Sequence, residues 1–311
     1  MFDVVSVGNA TMDAFVQINP KRHYRAGKKE LFFRAGSKTE VENLLFFSGG
    51  SATNTAVSFA RQGLRTACVC QIGNDESGHG ILAELNREGI NTRLVLQTTA
   101  SATAFSVILT GHGLNRVIFA YGGATRKLDH AQRRIDWEKL SRTRALYLGS
   151  LHSSLALVKH LASFCERKKI FLAWNPGQSE LKPGLRKLKP ILQHVSVLFL
   201  NGEEAQQLAG EKDWRANARF LQRFVPLVVI SLGPQGAGCF DGQKYWFERA
   251  HAAKKVDSTG AGDAFNSGFL SSVLHGDDLA TALENGVANA TSVIKYLGAK
   301  NRLLHRSRPK K

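Results

Sequence analysis

FDVVSVG, at residues 2–8, is a largely apolar run near the start of the chain, and similar runs recur along the sequence. Continuous rather than alternating apolarity is typical of strands covered on both faces, as in a parallel sheet. Strand-like runs that alternate with amphipathic, helix-like stretches predict an α/β fold with a doubly wound, mostly parallel sheet. The further runs are TACVCQIG (66–73), ALYLGS (145–150), IFLAWNP (170–176), VSVLFLN (195–201) and PLVVISLG (226–233), and the helical stretches are 52–62, 77–88, 153–166, 202–209 and 214–223.

Two regions depart from this order, at about 14–48 and 93–120. Their apolar pieces predict antiparallel strands and hairpins that form a small β-sheet added to the main layer. Because no internal repeat or low-complexity linker divides the chain, we expect a single domain over 1–311 with a discontinuous β lid. The pieces are FVQI, ELFF and VENLLFF in the first region, and LVLQ, TAFSVIL and RVIFA around the turn GHGLN in the second.

The composition is that of an ordinary globular chain, with 43% hydrophobic and 22% charged residues. These values argue against disorder and against a membrane protein, and no window reaches the roughly 18 apolar residues that a spanning helix needs. Cysteines at 68, 70, 165 and 239 are too scattered for a disulfide scaffold or a zinc site. With no secretory signal visible, a cytoplasmic protein is the expectation.

The chain is strongly basic, with 42 Lys and Arg against 25 acidic residues and a formal net charge of +17. Such a charge could attract phosphorylated ligands or nucleic acid, or it could serve solubility alone. The densest basic segment is the tail at 302–311, which is typical of a solvated terminus. Because no aromatic residues alternate with these charges, the pattern argues against a nucleic-acid module.

A glycine-rich turn lies in KKVDSTGAGDAFNSGFLSSVL, residues 254–274. Gly260 and Gly262 precede an apolar helical pattern, so backbone N–H groups and the helix dipole would favour an anion there. Asp263 in the first helical turn could be a simple helix-stabilising carboxylate. Together with the glycines and the upstream Asp257 and Thr259, it also fits phosphoryl transfer, in which a carboxylate accepts the proton of the acceptor.

A second glycine pair lies in SGGSATNTAVSFARQG, residues 48–63. Gly49 and Gly50 precede a helix, for which Ser51 could act as a cap. If this segment is instead part of a substrate site, the amide of Asn54 would bind substrate hydroxyls, because it can donate and accept hydrogen bonds. Asp13 follows the first strand, at the edge where ligands of α/β sheets gather. No GxGxxG pattern follows that strand, which argues against a nicotinamide dehydrogenase.

These two signature regions resemble the ribokinase-like (PfkB) carbohydrate kinases, and the similarity spans nearly the whole chain. Weaker matches are NPG at 175–177, Asn201 to Glu204, and SLGPQGAG at 231–238. The resemblance implies a three-layer α/β sandwich with a β lid, and ATP and Mg²⁺ as cofactors. It also implies a catalytic centre, in which Asp263 is the general base, Gly260, Ala261 and Gly262 form an anion hole, and the substrate is held by Asp13, Gly49, Gly50 and Asn54. For the nucleotide it implies magnesium and ATP phosphates at Asn201 and Glu204, a site lined by Ser231, Gly233 and Gly236, and an adenine-side contact from Asn289. It further implies a monovalent cation at Asp257 and Thr259, which is K⁺ in potassium-activated members.

Departures from the family pattern bear mainly on the substrate. Ribokinases proper have lysine and glycine where this chain has Ser51 and Ala52, which weakens a ribose assignment. Ser231 replaces the usual threonine and keeps the hydroxyl. The helix 278–296 offers Asn285 and Asn289 as adenine-side contacts, but the register is ambiguous, since counting back from Gly298 and Ala299 puts Val287 at the customary polar position.

The sequence therefore predicts an ATP-dependent kinase that phosphorylates a hydroxymethyl group of a sugar. A nucleoside kinase is an alternative, because lid aromatics could stack on a base. A phosphosugar kinase is another, because basic lid residues could bind a substrate phosphate. From a different class, a catalytically silent sugar-binding protein is disfavoured by the intact Asp263, and the apolar lid suggests a homodimer. The aromatics are Phe32, Phe33, Phe46 and Phe47, and the basic residues are Arg22, Arg25, Lys28, Lys29 and Arg34.

Overall fold

The computed structural model describes residues 1–19, 24–25, 30–111, 116–152 and 155–306, with the backbone alone at 24–25. An eight-stranded sheet forms its centre. Six neighbouring strands are parallel, and the last two strands of the chain extend one edge antiparallel. In spatial order the strands are β16 (Tyr245–Glu248), β15 (Ala237–Phe240), β14 (Leu227–Ser231), β13 (Val197–Asn201), β12 (Phe171–Trp174), β11 (Thr143–Leu148), β1 (Phe2–Val7) and β6 (Thr66–Val69).

Ten α-helices accompany these strands in the described part of the chain. They are α1 (Ser51–Arg61), α2 (Glu76–Arg87), α3 (Trp137–Leu140), α4 (Leu155–Lys168), α5 (Gln178–Leu181), α6 (Leu185–Leu192), α7 (Gly202–Ala209), α8 (Trp214–Gln222), α9 (Ala261–His275) and α10 (Leu279–Val293).

Alternate residues of the central strands enter different cores. Val5 and Leu146 pack in a cluster with α4 and α6, whereas Val4 and Phe199 pack with Phe59 of α1 and with α9 and α10. Burial on both faces explains why these strands are apolar at nearly every position. The three-layer, mostly parallel α/β architecture is confirmed.

The predicted small sheet is also present, with strand order β10 (Val117–Tyr121), β9 (Ala104–Thr110), β2 (Thr11–Gln17) and β5 (Asn43–Gly49). It differs from the prediction in two details. The outer pairs are antiparallel, but β2 pairs parallel to β9, because these strands belong to distant segments and not to one hairpin. LVLQ is not a lid strand, since β8 (Leu96–Thr98) pairs with β7 (Gln71–Gly73) beside the main sheet.

ELFF contributes only β4 (Glu30–Leu31), which pairs with β3 (Tyr24–Arg25) outside the four-stranded lid. Parts of other predictions fall outside the described residues, namely Arg22, Lys28 and Lys29, the side chain of Arg25, most of the turn GHGLN, and the tail 307–311. Among the helices that are described, none has the length and apolarity needed to cross a membrane.

The connections of the lid carry its residues to the carboxyl edge of the main sheet. Three residues join β1 to β2, and β5 ends at Gly49 immediately before α1. Both connections between the lid and the main domain therefore lie where the parallel strands end, which is the usual ligand-binding edge of such sheets.

Candidate active site

The glycine turn before α9 has a backbone that only glycine tolerates well. Gly260 has a φ of +75°, and a Cβ there would overlap Ala299. Helix α9 begins at Ala261, with Asp263 in its first turn. The first N–H groups of an α-helix have no acceptor within the helix, and its dipole is positive at this end. The turn therefore presents N–H groups without an acceptor in the helix next to a carboxylate.

The N-terminal glycine pair meets this turn in space. Gly50 has a φ of +95°, and a Cβ there would overlap the carbonyl of Asn9. One turn into α1, the buried Asn54 donates a hydrogen bond from Nδ2 to Oδ2 of Asp263 at 2.8 Å. The two sequence motifs thus form one site.

Electrostatics around Asp263 act in opposing directions. Desolvation of the carboxyl group raises its pKa, whereas the Asn54 hydrogen bond and the positive charge of Lys300 lower it, and the net pKa lies above the ordinary value. A raised pKa gives the carboxylate a greater proton affinity, which suits a general base.

Lys300 belongs to a buried polar cluster that the sequence reasoning missed. Its Nζ donates to Oε2 of Glu84 at 3.0 Å, to Oγ1 of Thr53 at 3.4 Å and to the hydroxyl of Ser48. The cluster joins α2, the end of β5 and the start of α1. Its members come from distant segments, so no local pattern marked them.

Asp13 lies on β2, where its buried carboxyl packs against Gly49. Desolvation raises its pKa, and hydrogen bonds from Ser106 and Thr11 and the charge of Lys300 oppose that effect. Phe47 is its register partner on β5 and shares its face of the lid. Phe47 also lies against Gly298, so this face closes over the residues that lead to Lys300.

Two buried amide oxygens near this face are without a hydrogen-bond partner among the described residues, Oδ1 of Asn54 and Oδ1 of Asn9. Buried polar atoms are rarely left unpaired, so these oxygens fit a ligand that supplies hydroxyl donors. Asn9 was not identified from the sequence. The one sequence feature that could have indicated Asn9 is its position just after β1 and Gly8, at the edge of the sheet where ligands bind.

The predicted nucleotide residues lie farther along the same edge. Asn201 and Ser231 are register partners at the carboxyl ends of β13 and β14. Asn201 and Glu204 cap α7 reciprocally, through Glu204 N to Oδ1 at 2.8 Å and Asn201 N to Oε2 at 2.9 Å. Desolvation raises the pKa of Glu204.

The two glycines after β14 shape the following loop. Gly233 and Gly236 have φ values of +57° and +118°, and a Cβ at Gly236 would overlap the carbonyl of Glu248. Burial raises the pKa of Tyr147 on β11, and the charges of Asp263 and Glu204 act in the same direction, whereas a hydrogen bond from Asn266 opposes them.

Asn289 is not brought together with these residues. It is completely buried, and its Nδ2 donates to Oγ of Ser58 at 3.0 Å and to the carbonyl of Ala264 at 2.8 Å. Its Oδ1 accepts from Leu304 N at 2.9 Å. These contacts tie α10 to α9 and α1, which is a structural role and does not fit an adenine contact.

The predicted monovalent-cation residues hold a guanidinium group instead. Nη1 of Arg116, just before β10, donates to Oδ1 of Asp257 at 2.9 Å and to the hydroxyl of Thr259. An arginine is always charged in proteins, so it would repel a second cation at these oxygens. This arrangement does not fit K⁺ at Asp257 and Thr259.

The family model described as pfkB family carbohydrate kinase matches residues 1–306. The chain belongs to the PfkB family of carbohydrate kinases. An uncharacterized sugar kinase of Archaeoglobus fulgidus is 27% identical over 252 residues, covering 79% of this chain and 98% of that protein. A nucleoside kinase of Methanothermobacter thermautotrophicus is 23% identical over 302 residues, covering 97% of this chain and 92% of the relative.

The same fold is found in Arabidopsis thaliana ribokinase, whose structure is a complex with ribose and ATP. It superposes with a TM-score of 0.82 at 20% identity, covering 98% of this chain and 96% of the ribokinase chain. As a PfkB kinase, the protein is an ATP-dependent phosphotransferase of the sugar and nucleoside kinase group, a group that uses a metal ion in the reaction.

Proposed function

We propose that this PfkB kinase transfers the γ-phosphoryl group of ATP to a hydroxymethyl group of a sugar or sugar-like molecule, with Asp263 as the general base. The observation that carries the proposal is the 2.8 Å hydrogen bond between Asn54 and Asp263. It places the amide expected to bind substrate directly beside the carboxylate expected to accept the substrate's proton.

The chemistry requires alignment and charge stabilisation more than covalent catalysis. The acceptor hydroxyl gives its proton to Asp263 as its oxygen bonds to the γ-phosphorus, and the bond from that phosphorus to the bridging oxygen of ADP breaks. The N–H groups around Gly260, Ala261 and Gly262 would stabilise the negative charge on the transferring group. Asp263 lies one residue beyond this anion hole, within the same helical turn.

The substrate pocket in this proposal combines the lid and the start of α1. Asp13, Gly49, Gly50 and Asn54 would hold hydroxyl groups, and Asn9 joins them because its buried Oδ1 also lacks a described partner. A carboxylate accepts hydrogen bonds and an amide can also donate, so the set suits several neighbouring hydroxyls. We propose that the whole chain acts as one catalytic domain, with the lid as part of its substrate pocket.

ATP would lie along the carboxyl ends of β13 and β14, against Ser231, Gly233 and Gly236. Asn201 and Glu204 fit a Mg²⁺ site of the usual kind, in which one or two protein oxygens supplement phosphates and water. Both side chains already serve as the cap of α7, which fixes their orientation. When bound, the metal ion would neutralise phosphate charge.

A nucleoside acceptor is the second candidate, and one specific feature favours it. Phe47 lies on the same lid face as Asp13 and could stack on a base. Phe46 lies on the opposite face and is 57% exposed, so it is not part of this pocket. A phosphosugar acceptor has weaker support, since Arg34, the one of the five predicted basic residues whose side chain is described, is exposed.

The test is a phosphotransfer assay with ATP and Mg²⁺ on a panel of sugars, phosphosugars and nucleosides, with each product identified by mass. A thermal-shift screen with an ATP analogue can first narrow the panel, because ligands that bind the native state raise its melting temperature. Phosphorylation of a free sugar supports the first candidate, and exclusive phosphorylation of nucleosides supports the second. Binding of sugars without any transfer would contradict both.

A further inference from the structure

Arg116 connects the lid to the loop that carries the anion hole. It immediately precedes β10, the outer strand of the lid, whereas Asp257 and Thr259 immediately precede Gly260. The side chain of Arg116 is 39% exposed, and that of Asp257 is 8% exposed. The carboxylate of Asp257 is therefore shielded from solvent, whereas the side chain of Arg116 is partly exposed.

The recipient of this guanidinium group is a preorganised acidic turn. Oδ1 of Asp257 also accepts hydrogen bonds from the backbone N of Thr259 at 3.0 Å and from its hydroxyl at 2.8 Å. Gly298 N donates to Oδ2 of the same carboxylate at 3.4 Å. The carboxylate thus holds together the start of the anion-hole loop and the turn that leads to Lys300.

Such a turn needs a cation to balance the buried carboxylate, because an unpaired buried charge is costly. Asp13 is a second acidic group in this region, and the charge of Asp257 contributes to its raised pKa. Arg116 supplies the positive charge from within the chain, and its Nη1 donates to the carboxylate of Asp257 and to the hydroxyl of Thr259 at once.

We propose that Arg116 takes the place of a monovalent cation, so that this kinase holds its anion-hole loop without K⁺ and does so through its lid. The proposal rests on the proposed function, because it assigns a positioning role to a residue next to the anion hole. Arg116 is a positioning residue, since it contacts Asp257 and Thr259 rather than the reacting groups.

The experiment compares wild type, Arg116→Ala and Arg116→Lys in KCl and in choline chloride at equal ionic strength. Phosphotransfer to the acceptor found in the panel should change less than about twofold between the two salts for wild type. In choline chloride, kcat of Arg116→Ala should fall by about tenfold or more, and KCl or guanidinium chloride should restore much of it. Arg116→Lys, which keeps a positive charge, should need little rescue.

Melting temperature provides a readout that does not depend on turnover. KCl should raise the melting temperature of Arg116→Ala above its value in choline chloride, because K⁺ can then bind the native state, and it should not do so for wild type. Arg142→Ala is the matched control, since it removes an exposed ion pair with Glu138 far along the chain from this turn. It should behave as wild type in both salts.

A wild-type enzyme that requires K⁺ would overturn the proposal, as would an Arg116→Ala variant with unchanged kcat or with a loss that no cation restores. If no acceptor is phosphorylated at all, the proposed function fails, yet the melting comparison still decides whether Arg116 occupies a cation site. The two failures are therefore distinguishable.

Discussion

Asp263 has two neighbours that favour the ionised form of its carboxyl group. Asn54 does so by a hydrogen bond and Lys300 by its charge, while desolvation acts more strongly in the opposite direction. The balance leaves a carboxylate with raised proton affinity that is still held in a fixed orientation. Lys300 is itself buried and paired with Glu84, so its influence on Asp263 is not screened as a surface charge would be.

Replacing Lys300 with Gln should move the acidic limb of the pH profile of kcat/KM to higher pH. Removing the positive charge raises the pKa of Asp263 further, and a base is lost as the pH falls through its pKa. The measurement is kcat/KM for the best acceptor from mildly acidic to neutral pH. Lys295→Gln removes an equal charge from an exposed position nearby and should leave the limb unmoved. A Lys300→Gln profile with an unshifted or lowered limb would contradict this coupling.

Several site residues could be predicted from the sequence because they stand in contiguous motifs. Gly260 and Asp263 are three positions apart, and Gly50 and Asn54 are four apart, so local patterns reveal them. Lys300, Glu84 and Arg116 could not be predicted, since each reaches the site from a separate segment by packing. Asn9 lay between these cases, at a recognisable strand end but with no chemical signal of its own.

Among the secondary-structure elements, α1, α9 and α10 are held together by a buried polar network. Oγ of Ser267 on α9 donates to Oγ of Ser58 on α1 at 2.7 Å, and Asn289 of α10 binds the same hydroxyl at 3.0 Å. Because α1 carries Asn54 and α9 carries Asp263, this network sets the relative position of the two site residues. It also explains why a polar residue occupies the buried face of α10.

Asn289→Ala should therefore lower stability and leave nucleotide binding intact. The substitution leaves the backbone N–H of Leu304 without its acceptor and removes the hydrogen bonds that Asn289 donates to Ser58 and Ala264, and an unsatisfied buried group costs about 1–3 kcal/mol. Urea denaturation should show a loss of that order or somewhat more, while KM for ATP stays within about twofold. A large rise in KM for ATP at unchanged stability would instead indicate a nucleotide contact.

The strands of the main sheet were predictable because burial on both faces makes them continuously apolar. Pairing in the smaller sheets was not, since the residues of a strand do not specify which neighbour it joins. LVLQ is as apolar as the lid strands, yet its residues pair with β7, which lies next to them in the folded chain. The parallel pairing of β2 with β9 likewise depends on how distant segments pack.

At the scale of the whole molecule, the outer face of the lid exposes a row of large apolar side chains. Register places them on the face opposite Asp13. Exposed apolar patches of this kind are typical of interaction surfaces, and we expect a second copy of the chain to cover this one. The residues are Leu44, Phe46, Val117, Phe119 and Tyr121, which are 48%, 57%, 36%, 59% and 54% exposed.

Sedimentation velocity should therefore show wild type as a dimer that dissociates on dilution. Phe119→Glu should shift the distribution to monomer, because a charge would have to be buried in the apolar interface. Phe247→Glu alters an exposed aromatic residue on β16, away from the lid, and should leave the dimer intact. A monomeric wild type at every concentration would contradict a lid-mediated dimer.

We infer that the two glycine turns and Asp263 form one phosphotransfer site. The most direct measurement is the rate of phosphoryl transfer from ATP to the best acceptor for wild type and Asp263→Asn, which keeps the shape of the side chain and removes the base. We expect kcat of Asp263→Asn to fall by at least about a hundredfold, in the range typical of general-base catalysis, with the melting temperature retained. A folded Asp263→Asn variant with wild-type kcat would contradict it.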